Sequence, residues 1–239
     1  MTLTVNNIGD NPQQPSISAQ AFIPDQLIAG HLNLVTEPIT VGAGSLSRGT
    51  VLGQITVGAA TSAAKSGGNT GNGTLTLDVT TPVLLNATPG IYTVRCITAV
   101  TNGGVFEVKS PTGASLGLAT IVAGASGTYT FSDRIKFVIQ DGSTDFIVGD
   151  GFDVTVAAGS GYYIKSVATA TDGSAVPSAI LVDTADATSG AVTSGAYVMG
   201  EFNQTAIIYD ASWSVATLKP LLRPLGIHLK NPISATDPT

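Results

Sequence analysis

The sequence predicts a mainly β fold, with a small β-rich core, a short C-terminal helix and a β-sandwich inserted into that core. Short runs that alternate apolar and polar residues, such as TLTLDV at 74–79 and IYTVRCI at 91–97, are typical of half-buried strands. Turn-forming pairs such as Asn102-Gly103 and Asp141-Gly142 separate these runs. Their regular spacing indicates a β-sandwich. The segments on either side of it contain short strands interrupted by Gly and Pro, which indicates a separate core.

The elements are predicted in chain order from these patterns. The first residues are rich in Asn, Gln and Pro, and such a segment cannot bury enough surface to order by itself. Residues 51–57 are β-branched and form a core strand, whereas the small residues at 58–73 form a linker or long loop. Strands are also predicted at 105–109, 134–139, 145–148, 152–156, 162–166, 179–182 and 197–202. The predicted regions are an arm at 1–26, a core at 27–66 and 161–239, and the inserted sandwich at 67–160.

A short helix is predicted near the end of the chain. Residues 212–222 repeat apolar side chains at helical spacing, and Ser212 or Ser214 is placed to cap the first turn. Pro220 keeps this helix short or kinks it, and Gly226 ends it. Residues 227–230 are then predicted to form a last edge strand.

Composition excludes several classes of function. The 239 residues carry a net charge of −6, which argues against binding a nucleic-acid backbone. The single cysteine, Cys96, excludes a disulfide framework and a multi-cysteine zinc site, and two histidines leave little for metal or acid–base chemistry. No apolar run is long enough for a membrane helix, and the N-terminus is not expected to be a signal peptide. With only 11% charged residues, the chain is expected to be an oligomer or assembly subunit, the alternative being a β-rich domain with Thr and Ser on its surface. No cofactor, metal or catalytic residues are expected.

Three patterns that suggest chemistry have simpler interpretations. The GASLG motif at 113–117 fits a nucleophile elbow, but the glycine-rich run after it cannot form the required helix, so a hairpin turn is expected. The spacing of four acidic residues does not fit an EF-hand, and they are expected in connecting turns: Asp141, Asp145, Asp150 and Asp153. His31 and His228 lack a paired acid nearby in sequence and are expected to be surface or structural residues.

Four segments carry a family resemblance. They read SRGTVLGQIT at 47–56, ATDGSAVPSAIL at 170–181, GEFN at 200–203 and LRPLGIHLK at 222–230. In this order they resemble the lambda-type bacteriophage head decoration proteins, a protein D-like family. The resemblance covers the predicted core. The chain departs from the simplest members by the insert, whose pattern of short, regularly spaced strands is similar to that of immunoglobulin-like modules.

The resemblance implies a non-enzymatic structural protein of the virion. It implies a homotrimer that binds the major capsid protein at three-fold and quasi-three-fold positions of the expanded capsid and stabilises the head. The protein would be made in the host cytoplasm and sit on the outer capsid surface, with no nucleic-acid or membrane partner. Expected capsid contacts in and beside the arm are Ile17, Phe22, Ile23 and Leu27. Expected residues of the core and trimer seam are Arg48, Val51, Leu52, Ile55, Glu201, Phe202 and Asn203.

Two alternatives remain open at this point. The insert, expected to project outward, either enlarges the footprint of the trimer or is an adhesion module that binds a host surface or glycan. Exposed aromatic rings bind sugars in sandwich domains, and the candidates are Tyr92, Phe106, Tyr129 and Phe131. Most of these alternate inward, which favours core packing. The second alternative is a structural component of a tail or fibre.

Overall fold

The computed structural model describes residues 26–123 and 127–231, which form sixteen strands and one α-helix. The strands are β1 (Val35–Val41), β2 (Gly44–Leu46), β3 (Val51–Gln54), β4 (Val57–Ala64), β5 (Thr74–Leu77), β6 (Gly90–Val100), β7 (Gly103–Lys109), β8 (Ser115–Ile121), β9 (Thr128–Ser132), β10 (Lys136–Gln140), β11 (Gly151–Ala158), β12 (Tyr163–Lys165), β13 (Pro177–Leu181), β14 (Ala185–Ala187), β15 (Val192–Asn203) and β16 (Ile227–Lys230). The helix α1 spans Val215–Leu222. The predicted mainly β fold with a short C-terminal helix is confirmed.

Residues 57–158 form two antiparallel sheets that share one hydrophobic core. Five strands lie in the order β4-β11-β6-β7-β8, and three lie in the order β5-β10-β9. Alternate residues of β6, namely Tyr92, Val94 and Cys96, are buried in this core, as the period of two in the sequence requires. Phe106 of β7 meets Phe146 edge to face, with ring centroids 5.0 Å apart.

Of the remaining strands, β2 pairs with β14, and the other six form a third sheet that closes on itself. Its order is β1-β12-β3-β13-β15-β16, and β15 also pairs with β1. Both faces of this sheet are buried, so adjacent residues of one strand lie in different clusters: Leu52 packs in one and Val51 in the other. Leu218 and Leu222 of α1 cover the second cluster. A capping box between Ser214 and Thr217 begins this helix, as expected for Ser214.

The change from one set of sheets to the other falls between Gln54 and Val57, before the predicted boundary at residue 67. The prediction of a loop over 58–73 was wrong in its first half, because β4 pairs along its length with β11. This strand lies at a sheet edge and buries only Val57, so its small residues show no apolar alternation. The predicted strand at 145–148 was also wrong: these residues form a loop, although Phe146 is buried. The division into arm, core and inserted domain stays a prediction.

Candidate functional site

The chain that follows the predicted arm is fixed against the end of β15. The N–H of Asn203 donates to the carbonyl of Leu27 over 2.8 Å, and the N–H of Ala29 donates to the carbonyl of Glu201 over 2.9 Å. Ile28 forms an antiparallel bridge with Phe202 between these two bonds. We call residues 27–32 together with residues 201–203 the arm anchor. It holds residues 27–32 against the end of β15.

Burial of Leu27 is the apolar part of the arm anchor. Its side chain is only 4% exposed and packs in the cluster that contains Val51, Phe202 and Ile207. Gly49, at φ +84°, leaves room for it, since a Cβ there would lie 3.1 Å from Leu27 Cδ1. Burying a leucine side chain contributes about 1.5–3 kcal/mol.

The Glu201 carboxylate is the polar part of the arm anchor. Its Oε2 accepts hydrogen bonds from the N–H groups of His31 (2.9 Å) and Leu32 (3.4 Å), and its Oε1 pairs with the ammonium of Lys230. The bond from Lys230 lowers the pKa of Glu201 below its ordinary value; burial opposes this, and the two N–H groups reinforce it. A Cβ at Gly30 would overlap the carboxylate in this position, so a larger residue there would displace the Glu201 side chain. The anion thus joins three segments of the chain.

Asn203 ends the strand by turning the chain. Its Oδ1 accepts hydrogen bonds from the N–H of Thr205 (2.9 Å) and from the hydroxyl of Thr205 (2.8 Å). Its carbonyl accepts from the N–H of Ala206 at 3.0 Å and of Ile207 at 3.2 Å. The GEFN motif therefore combines a clamp on the incoming chain with a turn toward the helix.

The predicted site residues divide into three groups. Ile17, Phe22 and Ile23 lie outside the described residues. Leu27, predicted as a shell contact, is buried, so its side chain is used within the chain. Val51, Leu52 and Phe202 are fully buried and Asn203 nearly so, which places them in the core. The predicted seam residues that keep partial exposure are Arg48, Ile55 and Glu201, and the seam itself stays a prediction.

Sequence reasoning missed Gly30, His31 and Lys230 as partners of Glu201. His31 lies 170 residues from Glu201 along the chain and contributes its backbone N–H, which no sequence motif reveals. Lys230 is the last residue of the LRPLGIHLK segment, and β16 pairs in parallel with β15. The one signal in the sequence for this contact was that Glu201 and Lys230 both lie in segments that resemble the family, and the pairing of β16 with β15 brings these two segments side by side.

The patterns that suggested chemistry have structural roles. The GASLG motif forms the predicted turn between β7 and β8: the N–H of Gly113 donates to the carbonyl of Ser110, and Ser115 begins a strand, not a helix. Asp150 accepts backbone hydrogen bonds in a buried loop. Asp153 lies in β11 and not in the predicted connecting turn, and it pairs with Arg95. Across the described ranges, no three His, Cys, Asp or Glu side chains lie close enough to hold a metal ion.

The aromatic candidates for sugar binding lie largely in the core. Tyr92 and Phe106 are fully buried, Phe131 is nearly so, and Tyr129 is half-buried and packs against the same cluster. Sugars stack on exposed rings, so these side chains serve packing, as their alternation indicated.

Among the described residues, the one helix is too short to cross a bilayer.

One family model matches most of the chain. The model of the family described as bacteriophage lambda head decoration protein D matches residues 17–225. The chain belongs to this family. The decoration protein D family is one of structural capsid proteins, so membership gives the chain a place on the phage head. The matched span includes Ile17, Phe22 and Ile23, and it runs through both sets of sheets.

No curated protein matches the chain. One solved structure, a crystal structure of Xanthomonas campestris FlgL in space group H3, is similar at 19% identity with a TM-score of 0.29. The similarity covers 46% of this chain and 33% of that chain, so it spans about a third of FlgL. At this TM-score it carries no argument about the fold or the function of this decoration-family member.

Proposed function

We propose that the protein binds the major capsid protein as a homotrimer at three-fold and quasi-three-fold positions of the expanded head and stabilises it. The arm anchor is the observation that carries this proposal. It fixes residues 27–32 by backbone hydrogen bonds, a buried leucine and a charged clamp. A preceding segment that orders on the shell would therefore leave from a defined position on each subunit.

The anchor reduces the entropy cost of binding. If residues 1–26 order on the shell, residues 27–32 lose little further freedom, because the arm anchor already holds them. Three arms on one trimer then bind at a high effective concentration, so weak individual contacts give a strong total. A protein that binds only the mature shell shifts the equilibrium toward it. Ile17, Phe22 and Ile23 are the apolar contacts we propose within the arm.

Residues 67–160 are proposed to be an inserted domain that points away from the shell on the outer surface of the virion. The two sheets of residues 57–158 enclose a core of their own, which supports an inserted domain, although its first strand β4 begins before residue 67. The buried state of Tyr92, Phe106 and Phe131 favours a spacer role over a glycan-binding one. The protein would be made in the host cytoplasm and assembled onto heads there.

Deleting residues 1–20 tests the role of the arm. Native mass spectrometry of the full chain should give about 72 kDa, three times the 24.1 kDa subunit, and the trimer should saturate expanded heads that lack decoration protein. The deletion variant should keep the mass of a trimer and lose binding in a sedimentation assay. Unchanged binding by the deletion variant would contradict the arm as the main contact. A full-length monomer that ignores heads would contradict the proposed function as a whole.

A further inference from the structure

Two short connections join the sandwich region, residues 57–158, to the region of the closed sheet. Residues 55–56 lead from β3 into β4, and residues 159–162 lead from β11 into β12. The N–H of Gly159 donates to the carbonyl of Thr56 over 2.9 Å, and two more backbone hydrogen bonds join the same connections. They therefore form a two-stranded ribbon, which is only marginally stable by itself.

No broad apolar interface holds the two regions together. Their buried clusters share no member, and within the described residues no strand of one region packs along a strand or the helix of the other. Where the regions face each other, residues 85–87 and 170–176 line an open cavity of about 100 Å³. Leu85 and Val176 beside it are 47% and 64% exposed. Regions joined in this way ordinarily move relative to each other.

A turn of the closed-sheet region reaches the connection and bonds to it. We call Asp172, Gly173 and Ser174 the junction turn. The carbonyl of Asp172 accepts hydrogen bonds from the N–H of Thr56 and from the N–H of Val57, each over 2.9 Å. Val57 is the first residue of β4 and is buried in the core of the sandwich region. One carbonyl therefore ties the junction turn both to the connection and to the sandwich region.

The junction turn is itself held in one conformation. The Oδ1 of Asp172 accepts hydrogen bonds from the N–H (3.0 Å) and the hydroxyl (2.6 Å) of Ser174, which is fully buried. Gly173 has φ +94°, and a Cβ there would overlap Thr56 Oγ1. A Cβ at Gly53 of β3 would likewise overlap the carbonyl of Ser174. The turn therefore lies directly against the connection on one side and the closed sheet on the other.

We propose that the junction turn fixes the angle between the two regions, so that the sandwich region is a rigid projection and not a flexibly tethered one. The inference concerns the chain alone, and only its consequence for the virion rests on the proposed function. On a head, the copies of a trimer would hold their sandwich regions in one direction and at one height. A spacer requires this, because a region that swings freely has no fixed position.

Distances between spin labels test the angle. Labels at Thr130→Cys of β9 and Thr193→Cys of β15 place one probe at an exposed position of each region. Doubly labelled chains are diluted with unlabelled protein, so each distance comes from one chain, and the buried Cys96 stays unlabelled. The protein with no further change should give one narrow distance distribution. Gly173→Ala should broaden it about twofold, because the added Cβ pushes the junction turn away from Thr56.

Gly149→Ala is the matched control. Gly149 has the same φ of +94°, but among the described residues no atom lies within 4 Å of the position of its Cβ. The substitution therefore costs similar backbone strain without touching the junction, and the distribution should stay narrow.

The possible results are distinct. A broad distribution before any glycine is changed, or a folded Gly173→Ala protein whose distribution is as narrow as that of the control, would overturn the inference. Equal broadening by both glycine substitutions would also overturn it, since backbone strain would then be the cause. If circular dichroism shows that Gly173→Ala unfolds the chain, Ser174→Ala, which removes the hydroxyl bond to Asp172, replaces it with the same expectation at smaller size. Head binding enters none of these results, so the inference and the proposed function fail separately.

Discussion

The two sets of sheets are filled by different side chains. The core between the five-stranded and three-stranded sheets holds six buried aromatic residues among those described: Tyr92, Phe106, Phe131, Phe137, Phe146 and Phe152. The cluster inside the closed sheet is filled instead by small and aliphatic residues, with four alanines among its buried members. A closed sheet of few strands has a narrow interior, and the ring that packs against this cluster, Tyr163, is only partly buried. Its outer face then depends on α1 and Leu27 for cover.

Ion pairs occur in both regions. Arg95 pairs with Asp153 and Lys136 with Asp78 within residues 57–158, and Lys165 pairs with Asp210 and Lys230 with Glu201 in the region of the closed sheet. The difference between the two regions therefore lies in how their cores are filled, not in their surface charge.

The largest expected effect is on the aromatic core. Phe106→Ala removes a fully buried ring that contacts Phe146, and should lower the free energy of unfolding by about 3–5 kcal/mol. If residues 57–158 unfold as a unit, calorimetry of the full chain should show two transitions, of which the variant shifts one. The matched control Leu118→Ala, on the adjacent strand with a half-exposed side chain, should shift neither appreciably. A single transition that moves as a whole would contradict the division into two units.

A second, smaller effect is expected at Asp150, a buried carboxylate of the same region. It accepts hydrogen bonds from the N–H groups of Thr70 (3.0 Å), Gly71 (2.9 Å) and Ile147 (3.1 Å). Burial raises the pKa of Asp150, but these bonds and the charge of Lys65 outweigh it and lower the pKa below its ordinary value. Asp150→Asn should reduce the stability of this region by about 1–3 kcal/mol near pH 7.

The pH dependence follows from the direction of that pKa. Because the folded pKa is lower than the unfolded one, the stabilisation is complete above the unfolded value of about 3.9 and is lost as pH falls through the folded value. Wild-type protein should therefore lose stability below about pH 4, and Asp150→Asn should show a shallower loss in urea titrations at decreasing pH. Parallel curves for the two proteins would contradict this role of Asp150.

Local patterns in the sequence carried much of this fold. β6, the capped helix and β16 were predictable because alternation, a capping serine and a glycine stop act within a few residues. β4 and β8 were not, since an edge strand of small residues and a strand that contains Gly117 lack the apolar period. The 145–148 run has the composition of a strand, yet Asp145 and Asp150 accept backbone hydrogen bonds that hold it as a loop.

The candidate site was predictable only on one side. The GEFN segment stood out by its resemblance to the family, so Glu201 and Asn203 were selected. Their partners were not, because backbone N–H groups at His31 and Leu32 leave no mark in a sequence. The burial of Leu27 was hidden for the same reason: it depends on Gly49 and on a cluster assembled from distant strands.

The smallest expected effect concerns the clamp of the arm anchor. Glu201→Gln removes the ion pair with Lys230 and weakens the hydrogen bonds from His31 and Leu32, so these two amides should exchange hydrogen faster while the global unfolding transition changes little. Because Lys230 and the two N–H groups lower the pKa of Glu201, the clamp is complete above the unfolded value of about 4.3 and is lost as pH falls through the folded value. Glu37→Gln, on the exposed start of β1, is the matched control and should leave both amides unchanged. Hydrogen exchange by NMR measures this directly. Equal exchange at His31 in all three proteins would contradict the role of the carboxylate. It would show that the buried Leu27 side chain and the backbone hydrogen bonds of residues 27 and 29 hold this segment without the Glu201 clamp.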